Sequence, residues 1–99
     1  MFLLLSRYLK PIEEVDRFLD EHRAFLDRHY DAGLFVVSGS QQPRVGGVIV
    51  TADASRETID RAMEQDPFVR EGISQYEIIE FTPSKRAVGF MDALKANAK

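Results

Sequence analysis

Apolar side chains recur at two different spacings along the chain, and the spacing separates strands from helices. Short apolar runs bounded by glycine, proline and polar residues predict four strands, at 2–9, 34–40, 46–51 and 76–81. Apolar residues three and four positions apart predict a helix over 11–31 and a second, shorter helix that ends near Gln65. A short amphipathic helix is also predicted over 90–98.

Residues with strong local preferences set the predicted helix ends. Pro11 suits the start of the first helix, and Gly33 is a natural left-handed terminator beyond its end. Asp53 or Ser55 can cap the second helix. That helix is predicted to stop at Asp66, because the residue before a proline is pushed out of helical geometry.

The resulting order, βαββαβ, predicts an α+β fold in which a ferredoxin-like antiparallel sheet carries both helices on one face. A single domain over 1–99 is expected from the length of the chain. In several strands, successive residues that face opposite sides of the sheet are both apolar, as in Phe2-Leu3 and Ile78-Ile79. Two apolar faces require cover on both sides, so we expect a homodimer in which the sheet faces pack together.

Composition excludes several classes of function. The net charge of −3 and the lack of clustered basic residues argue against a nucleic-acid partner. The absence of cysteine excludes disulfides, thiolate metal sites and cysteine nucleophiles. Arg7 and Lys10 interrupt the apolar start, so neither a membrane span nor a signal peptide is expected, and the prediction is a soluble cytoplasmic protein.

His22 is the residue that most suggests chemistry. It lies in the apolar stripe of the first predicted helix, where a leucine would ordinarily pack, and buried imidazoles need polar partners or a wet site. Asp66, held before Pro67, is the candidate partner. Two interpretations stay open: an acid–base pair, or a structural histidine bonded to backbone with Asp66 capping a turn.

Four further side chains are candidates for substrate binding. Ser38 and Ser40 point to the same face at the end of the second strand, where they form either a pocket lip or part of a bulge. Arg7 and Arg44 could each bind a carboxylate. No metal site is predicted, because His29 lies two helical turns from His22, about 10 Å along the axis.

Several segments occur together in a characteristic order: 16–26, which contains His22, 33–39, 43–47, Asp66-Pro67-Phe68, Gly72 and 76–81. On these segments the chain resembles the YciI-related (YCII) domain family. The resemblance implies a dimeric α/β barrel of the ferredoxin-like kind and a His–Asp pair at a pocket, matching His22 and Asp66 by position. Some relatives act in the breakdown of chlorinated aromatic or lactone compounds.

Together these features predict a cofactor-independent enzyme in which His22 is the general acid or base and Asp66 orients it. The expected substrate is a small oxygenated organic compound, a lactone or halogenated aromatic catabolite, that undergoes isomerisation or elimination. The alternative is a non-catalytic small-molecule-binding or accessory dimeric protein. A purely structural dimerisation module is a third interpretation, and it requires closed surroundings at His22.

Overall fold

The computed structural model describes residues 1–90, and the predicted helix over 90–98 lies outside them except for Phe90. The strands and helices follow one another in this order: β1 (Phe2–Tyr8), α1 (Ile12–Arg17), α2 (Leu19–Asp31), β2 (Phe35–Ser40), β3 (Gly47–Thr51), α3 (Arg56–Met63), α4 (Pro67–Arg70) and β4 (Ser74–Glu80). No helix within 1–90 combines the length and apolarity that crossing a bilayer requires.

The strands form one four-stranded sheet in the order β2-β3-β1-β4, and every pair is antiparallel. Leu4 at the centre of β1 lies opposite Ile49 of β3 on one side and Ile78 of β4 on the other. The predicted α+β fold with an antiparallel sheet is therefore confirmed, and the strand order is that of a ferredoxin-like fold. The dimeric barrel stays a prediction.

The two faces of the sheet differ in what covers them. Phe2 and Leu4 are fully buried and pack with Phe25 of α2 and Ile59 of α3, so both helices lie over one face. The intervening β1 residues point to the opposite face, which we call the open face. Its apolar members are half-buried or exposed: Leu3, Leu5, Val37, Val48, Val50 and Ile79.

A second, smaller apolar cluster lies beside α1 and α4. Val15, Phe68 and Ile73 are buried there, and Tyr8, Phe18 and Leu19 pack against them. This cluster fixes α4 against the start of α2, which matters because α4 begins directly after Asp66.

The predicted helix over 11–31 is wrong in one respect, because it divides at Phe18. The φ and ψ angles of Phe18 are −108° and 8°, outside α-helical geometry. Its ring packs against the second cluster, so tertiary contact overrides the continuous helical pattern. The His22 N–H still donates to the Phe18 carbonyl at 2.9 Å, which places His22 one turn into α2.

The other helix ends follow local chemistry. Gly33 has a φ of 77°, confirming the left-handed terminator after α2. Ser55 caps α3 by accepting a hydrogen bond from the Thr58 N–H at 3.1 Å, whereas Asp53 instead contacts the N-terminal ammonium at 3.2 Å.

The prediction at Asp66 needs a correction. α3 ends at Met63, and Asp66 opens a further single-turn helix, α4, with Pro67 in its first turn. Proline fits there because the first N–H groups of a helix have no intrahelical partner.

Candidate active site

A cavity of about 280 Å³ lies between α2 and the helix-covered face of the sheet. Part of its wall is apolar, and hydroxyl and cationic side chains complete it. The lining residues that concern the chemistry are His22, Arg23, Ser38, Ser40, Arg44 and Tyr76. A site with this mixture can hold a small organic molecule and orient it through a few polar contacts.

His22 and Asp66, 44 positions apart in the sequence, meet at this cavity. The distance from His22 Nδ1 to Asp66 Oδ1 is 2.9 Å. The carboxylate is completely buried, and the imidazole retains 14% exposure. The buried partner therefore lies behind the ring, while the ring itself forms part of the cavity wall.

Asp66 receives hydrogen bonds on both of its carboxylate oxygens. The Phe68 N–H donates to Oδ1 at 3.0 Å, and the Tyr76 hydroxyl donates to Oδ2 at 2.9 Å. An ionised carboxylate has only acceptor sites, which matches three converging donors once His22 Nδ1–H is included. Within 1–90, His22 is the only Lys, Arg or His side chain in salt-bridge range of Asp66.

Because Asp66 accepts from Nδ1–H, the neutral imidazole carries its proton on that nitrogen. Nε2 is then the unprotonated nitrogen, with its lone pair available to a molecule in the cavity.

Phe68 packs against one face of the His22 imidazole ring. The two rings are stacked with centroids 4.1 Å apart and an interplanar angle of 4°. Phe68 is buried and immediately follows Pro67, so its position is set by α4. Ring orientation is therefore fixed in two ways, by a hydrogen bond in the ring plane and by a stacking contact across it.

Tyr76 connects the sheet to this pair. Burial, reinforced by the negative charge of Asp66 and by the hydrogen bond to it, raises the pKa of Tyr76 far above its usual range. The phenol therefore stays protonated and keeps donating to Asp66 at alkaline pH.

The structure brings three of the four predicted substrate-binding residues to the cavity. Ser38 and Ser40 both line it, and Ser38 shares a hydrogen bond with the Tyr30 hydroxyl. The strand irregularity lies earlier, between Phe35 and Val37, so these two serines pair regularly with β3.

Arg44 also lines the cavity, but its guanidinium is engaged by Asp16, with Nη2 2.7 Å from Oδ1. That hydrogen bond raises the pKa of Arg44. Arg7 lies opposite Gln75 and belongs to the open face, because alternate residues of β1 point away from the helices, and its role in substrate binding stays a prediction. Arg7 does not line this cavity.

Sequence reasoning missed Arg23, Tyr8 and Tyr76 as cavity residues. Arg23 had a usable signal, because it directly follows His22 on the same helix. Tyr76 had none, since its hydroxyl reaches Asp66 only through the pairing of β4 with β1.

The second histidine lies apart from the cavity. His29 Nε2 is 3.0 Å from Gln65 Oε1, and its ring contacts Phe25 and Phe35 with centroids 5.0 Å away. Across the part of the chain that the structure describes, no three His, Cys, Asp or Glu side chains are grouped as metal ligands.

Comparisons with known proteins identify a family and a solved structure with a similar fold. A protein-family model described as the YCII-related domain matches residues 1–82. The chain is also similar to a solved structure of 5-chloro-2-hydroxyhydroquinone dehydrochlorinase (TftG) from Burkholderia phenoliruptrix AC1100 in complex with 2,5-dihydroxybenzoquinone, at 17% identity and a TM-score of 0.68. The likeness covers 83% of this chain and 94% of that one, and it establishes the fold. No match is found among curated proteins.

Proposed function

Because this chain belongs to the YCII-related domain family, we propose that it is a cofactor-independent enzyme in which His22 performs acid–base chemistry on a small oxygenated organic compound. The observation that carries the proposal is the buried Asp66 carboxylate 2.9 Å from Nδ1 of an imidazole in a cavity wall. The similarity to a dehydrochlorinase supports the same class of chemistry.

The reaction begins with Nε2 of neutral His22 removing a proton from the substrate. In the isomerisation of a lactone, the proton leaves a carbon next to the carbonyl group, the electron pair forms a carbon–carbon double bond of the enolate, and the imidazolium returns the proton to a different carbon. A chlorinated hydroxyaromatic reacts as its keto tautomer, in which the chlorine-bearing carbon is tetrahedral. The proton then leaves a ring hydroxyl group, the electron pair forms a carbonyl group as the ring double bonds shift, and chloride leaves with its bonding pair. The imidazolium finally passes its proton to water. One such acid–base group contributes a factor of about 10²–10⁴ to the rate.

Cavity size limits the substrate. An apolar cavity of about 150 Å³ accommodates a benzene molecule, so the volume of about 280 Å³ fits one ring with several substituents. Lactones and halogenated hydroxyaromatics are of this size. The Ser38 and Ser40 side chains at the wall supply hydroxyl groups for the oxygen atoms of such compounds.

The test measures chloride release from 5-chloro-2-hydroxyhydroquinone and isomerisation of small unsaturated lactones. His22→Asn should lower kcat/KM at least 100-fold, whereas His29→Asn, which changes the other histidine of α2, should leave it within about twofold. Circular dichroism of both variants checks the fold. A fully active His22→Asn protein contradicts the acid–base assignment.

The same cavity also suits a non-catalytic binding protein, which shares the hydroxyl and apolar wall. Saturable binding of 2,5-dihydroxybenzoquinone with no turnover of either substrate class would favour that function. Turnover with a bell-shaped pH–rate profile favours the enzyme.

We further propose that two copies associate through their open faces. Val37 and Ile79 on this face are 43% and 38% exposed, and neighbouring valines and leucines extend the apolar surface. Burying such a surface against a second copy removes it from water, which favours association.

Sedimentation velocity tests the association. The sedimentation of the wild-type protein should give a mass of twice the chain mass. The Val50→Lys variant, changed in the middle of the open face, should give the mass of a monomer. Val69→Lys, at an exposed position of α4 on the helical side, is the matched control and should remain dimeric. A monomeric wild type contradicts the proposal.

A further inference from the structure

The permanently charged side chains in the cavity wall have the same sign. Arg23 and Arg44 line the cavity, and no Asp or Glu side chain does so among the described residues. The chain as a whole has the opposite balance, with 16 acidic and 13 basic residues. A cationic cavity in an acidic protein is a local arrangement, and it favours a ligand that carries negative charge.

The two arginines differ in how far their charge is already neutralised. Arg44 donates to Asp16 at 2.7 Å, and its guanidinium lies over the Tyr8 ring, 5.9 Å from the centroid. These contacts attach the loop before β3 to α1 and to β1. Moving Arg44 onto a ligand would cost a short charge-assisted hydrogen bond.

Arg23 has no comparable partner within 1–90. Its nearest carboxylate is that of Asp20, with Nη1 3.9 Å from Oδ1, and the two side chains are 65% and 102% exposed. Exposed pairs at this spacing on a helix contribute about 0.2–0.5 kcal/mol, so a ligand displaces the contact easily. Arg23 therefore reaches the cavity with its hydrogen-bonding fork largely uncommitted.

Arg23 also lies next to the reacting histidine in the sequence. Both side chains line the same cavity of about 280 Å³. One substrate molecule can therefore bind Arg23 at the rim through one of its groups while its ring lies against His22. An anchor on one side of the ring limits its rotation relative to Nε2. Orientation of this kind supplies much of the rate advantage of an enzyme site.

We propose that Arg23 is a specificity-determining residue that binds a negatively charged oxygen group of the substrate, a carboxylate or an ionised hydroxyl, at the rim of the cavity. The substrate class is thereby narrowed from small oxygenated compounds to single-ring anions. This inference rests on the proposed function of the same cavity, but it concerns binding and does not require turnover.

Binding of matched probes tests the inference by NMR titration. Benzoate and benzamide have nearly the same shape, and only benzoate is charged at neutral pH. Wild-type protein should bind benzoate at least tenfold more tightly, and Arg23→Gln should weaken benzoate binding about 10- to 100-fold while changing benzamide binding less than twofold. Arg23→Lys should retain part of the preference, because it keeps the charge but loses the fork.

Arg28→Gln is the control variant. It makes the same change of charge on the same helix, at an exposed position in the last turn of α2 that does not line the cavity. It should bind both probes as the wild type does. A second pair, 2,5-dihydroxybenzoquinone and its dimethyl ether, separates ionised hydroxyls from carboxylates as the preferred group.

Three results would overturn the inference: equal affinity of the wild type for both members of each pair, unchanged benzoate binding by Arg23→Gln, or loss of the preference in Arg44→Gln alone. Failure of the proposed function is a separate result. If the protein turns over neither 5-chloro-2-hydroxyhydroquinone nor a lactone but still prefers anions through Arg23, the proposed enzymatic function is contradicted and the anion site is supported.

Discussion

The two histidines of the chain lie seven positions apart on α2, yet the regions around them differ in kind. Each ring packs against Phe25 and makes a hydrogen bond to a residue near the end of α3. For His22 that residue is Asp66, a buried carboxylate, and for His29 it is the adjacent Gln65, a neutral amide at the surface.

The comparison indicates that the acid–base role proposed for His22 depends on its partner, because both histidines lie on the same helix. The buried Asp66 carboxylate holds the proton of neutral His22 on Nδ1 beside the cavity, whereas the exposed Gln65 amide bonds to His29 away from it. A cavity lies beside the first ring, and the second ring packs against Phe35 of the core.

The largest difference is expected when the two partners are removed. Asp66→Ala leaves three donors without their acceptor, of which the Phe68 N–H is buried, and should lower the free energy of unfolding by about 3 kcal/mol. Gln65→Ala should lower it by less than about 0.5 kcal/mol, because its side chain is exposed. Urea unfolding measures both, and similar values for the two variants would erase the distinction.

A smaller effect is expected at Tyr76, which supports only the His22 side. Tyr76→Phe removes the donor to Asp66 Oδ2 and should cost about 1–2 kcal/mol. Turnover should also fall, mainly in kcat, because Asp66 then holds His22 less rigidly. An unfolding free energy equal to that of the wild type would show that the Tyr76 bond adds nothing.

The dependence of stability on alkaline pH provides a further test of the Tyr76 contact. The pKa of Tyr76 is raised in the folded protein, so above about pH 10 the unfolded chain loses its tyrosine proton first and stability falls with rising pH. The slope from one such group is at most about 1.4 kcal/mol per pH unit. Urea unfolding between about pH 9 and 11 should show a shallower fall for Tyr76→Phe than for the wild type.

The smallest effect concerns tautomers and involves no loss of stability. Donation to Asp66 requires the proton of neutral His22 on Nδ1, and donation to the Gln65 oxygen requires that of His29 on Nε2. Long-range proton–nitrogen NMR spectra should therefore show opposite tautomers. The same tautomer at both rings would contradict the assigned hydrogen bonds.

The sequence predicted elements well where the local pattern and the tertiary contacts agree. The four strands, the Gly33 terminator and the Ser55 cap follow from apolar spacing and backbone preference. The division at Phe18 was missed because an uninterrupted helical pattern runs through it, and only packing against the second cluster explains the break.

The candidate site could be predicted in part from the sequence for a similar reason. His22 stands out as a titratable residue in an apolar stripe, and Asp66 as an acid before a proline. The sheet face on which Arg7 lies could not be predicted, because the spacing of alternate strand residues does not say which face the helices cover. Tyr76 and Arg23 depend on which side chains meet across elements, information that a single sequence holds only indirectly.

One carboxylate both opens α4 and orients His22, and this dual use restricts how the chain can diverge. A descendant that abandons the proposed chemistry loses one hydrogen bond to Asp66 when the imidazole is replaced, whereas replacing Asp66 also removes the cap of α4 and the acceptor for Tyr76. Inactive lineages are therefore expected to keep the acid and vary at position 22. Retention of Asp66 in such a protein would reflect its structural role alone. Retention of His22 would be the sign that activity is under selection.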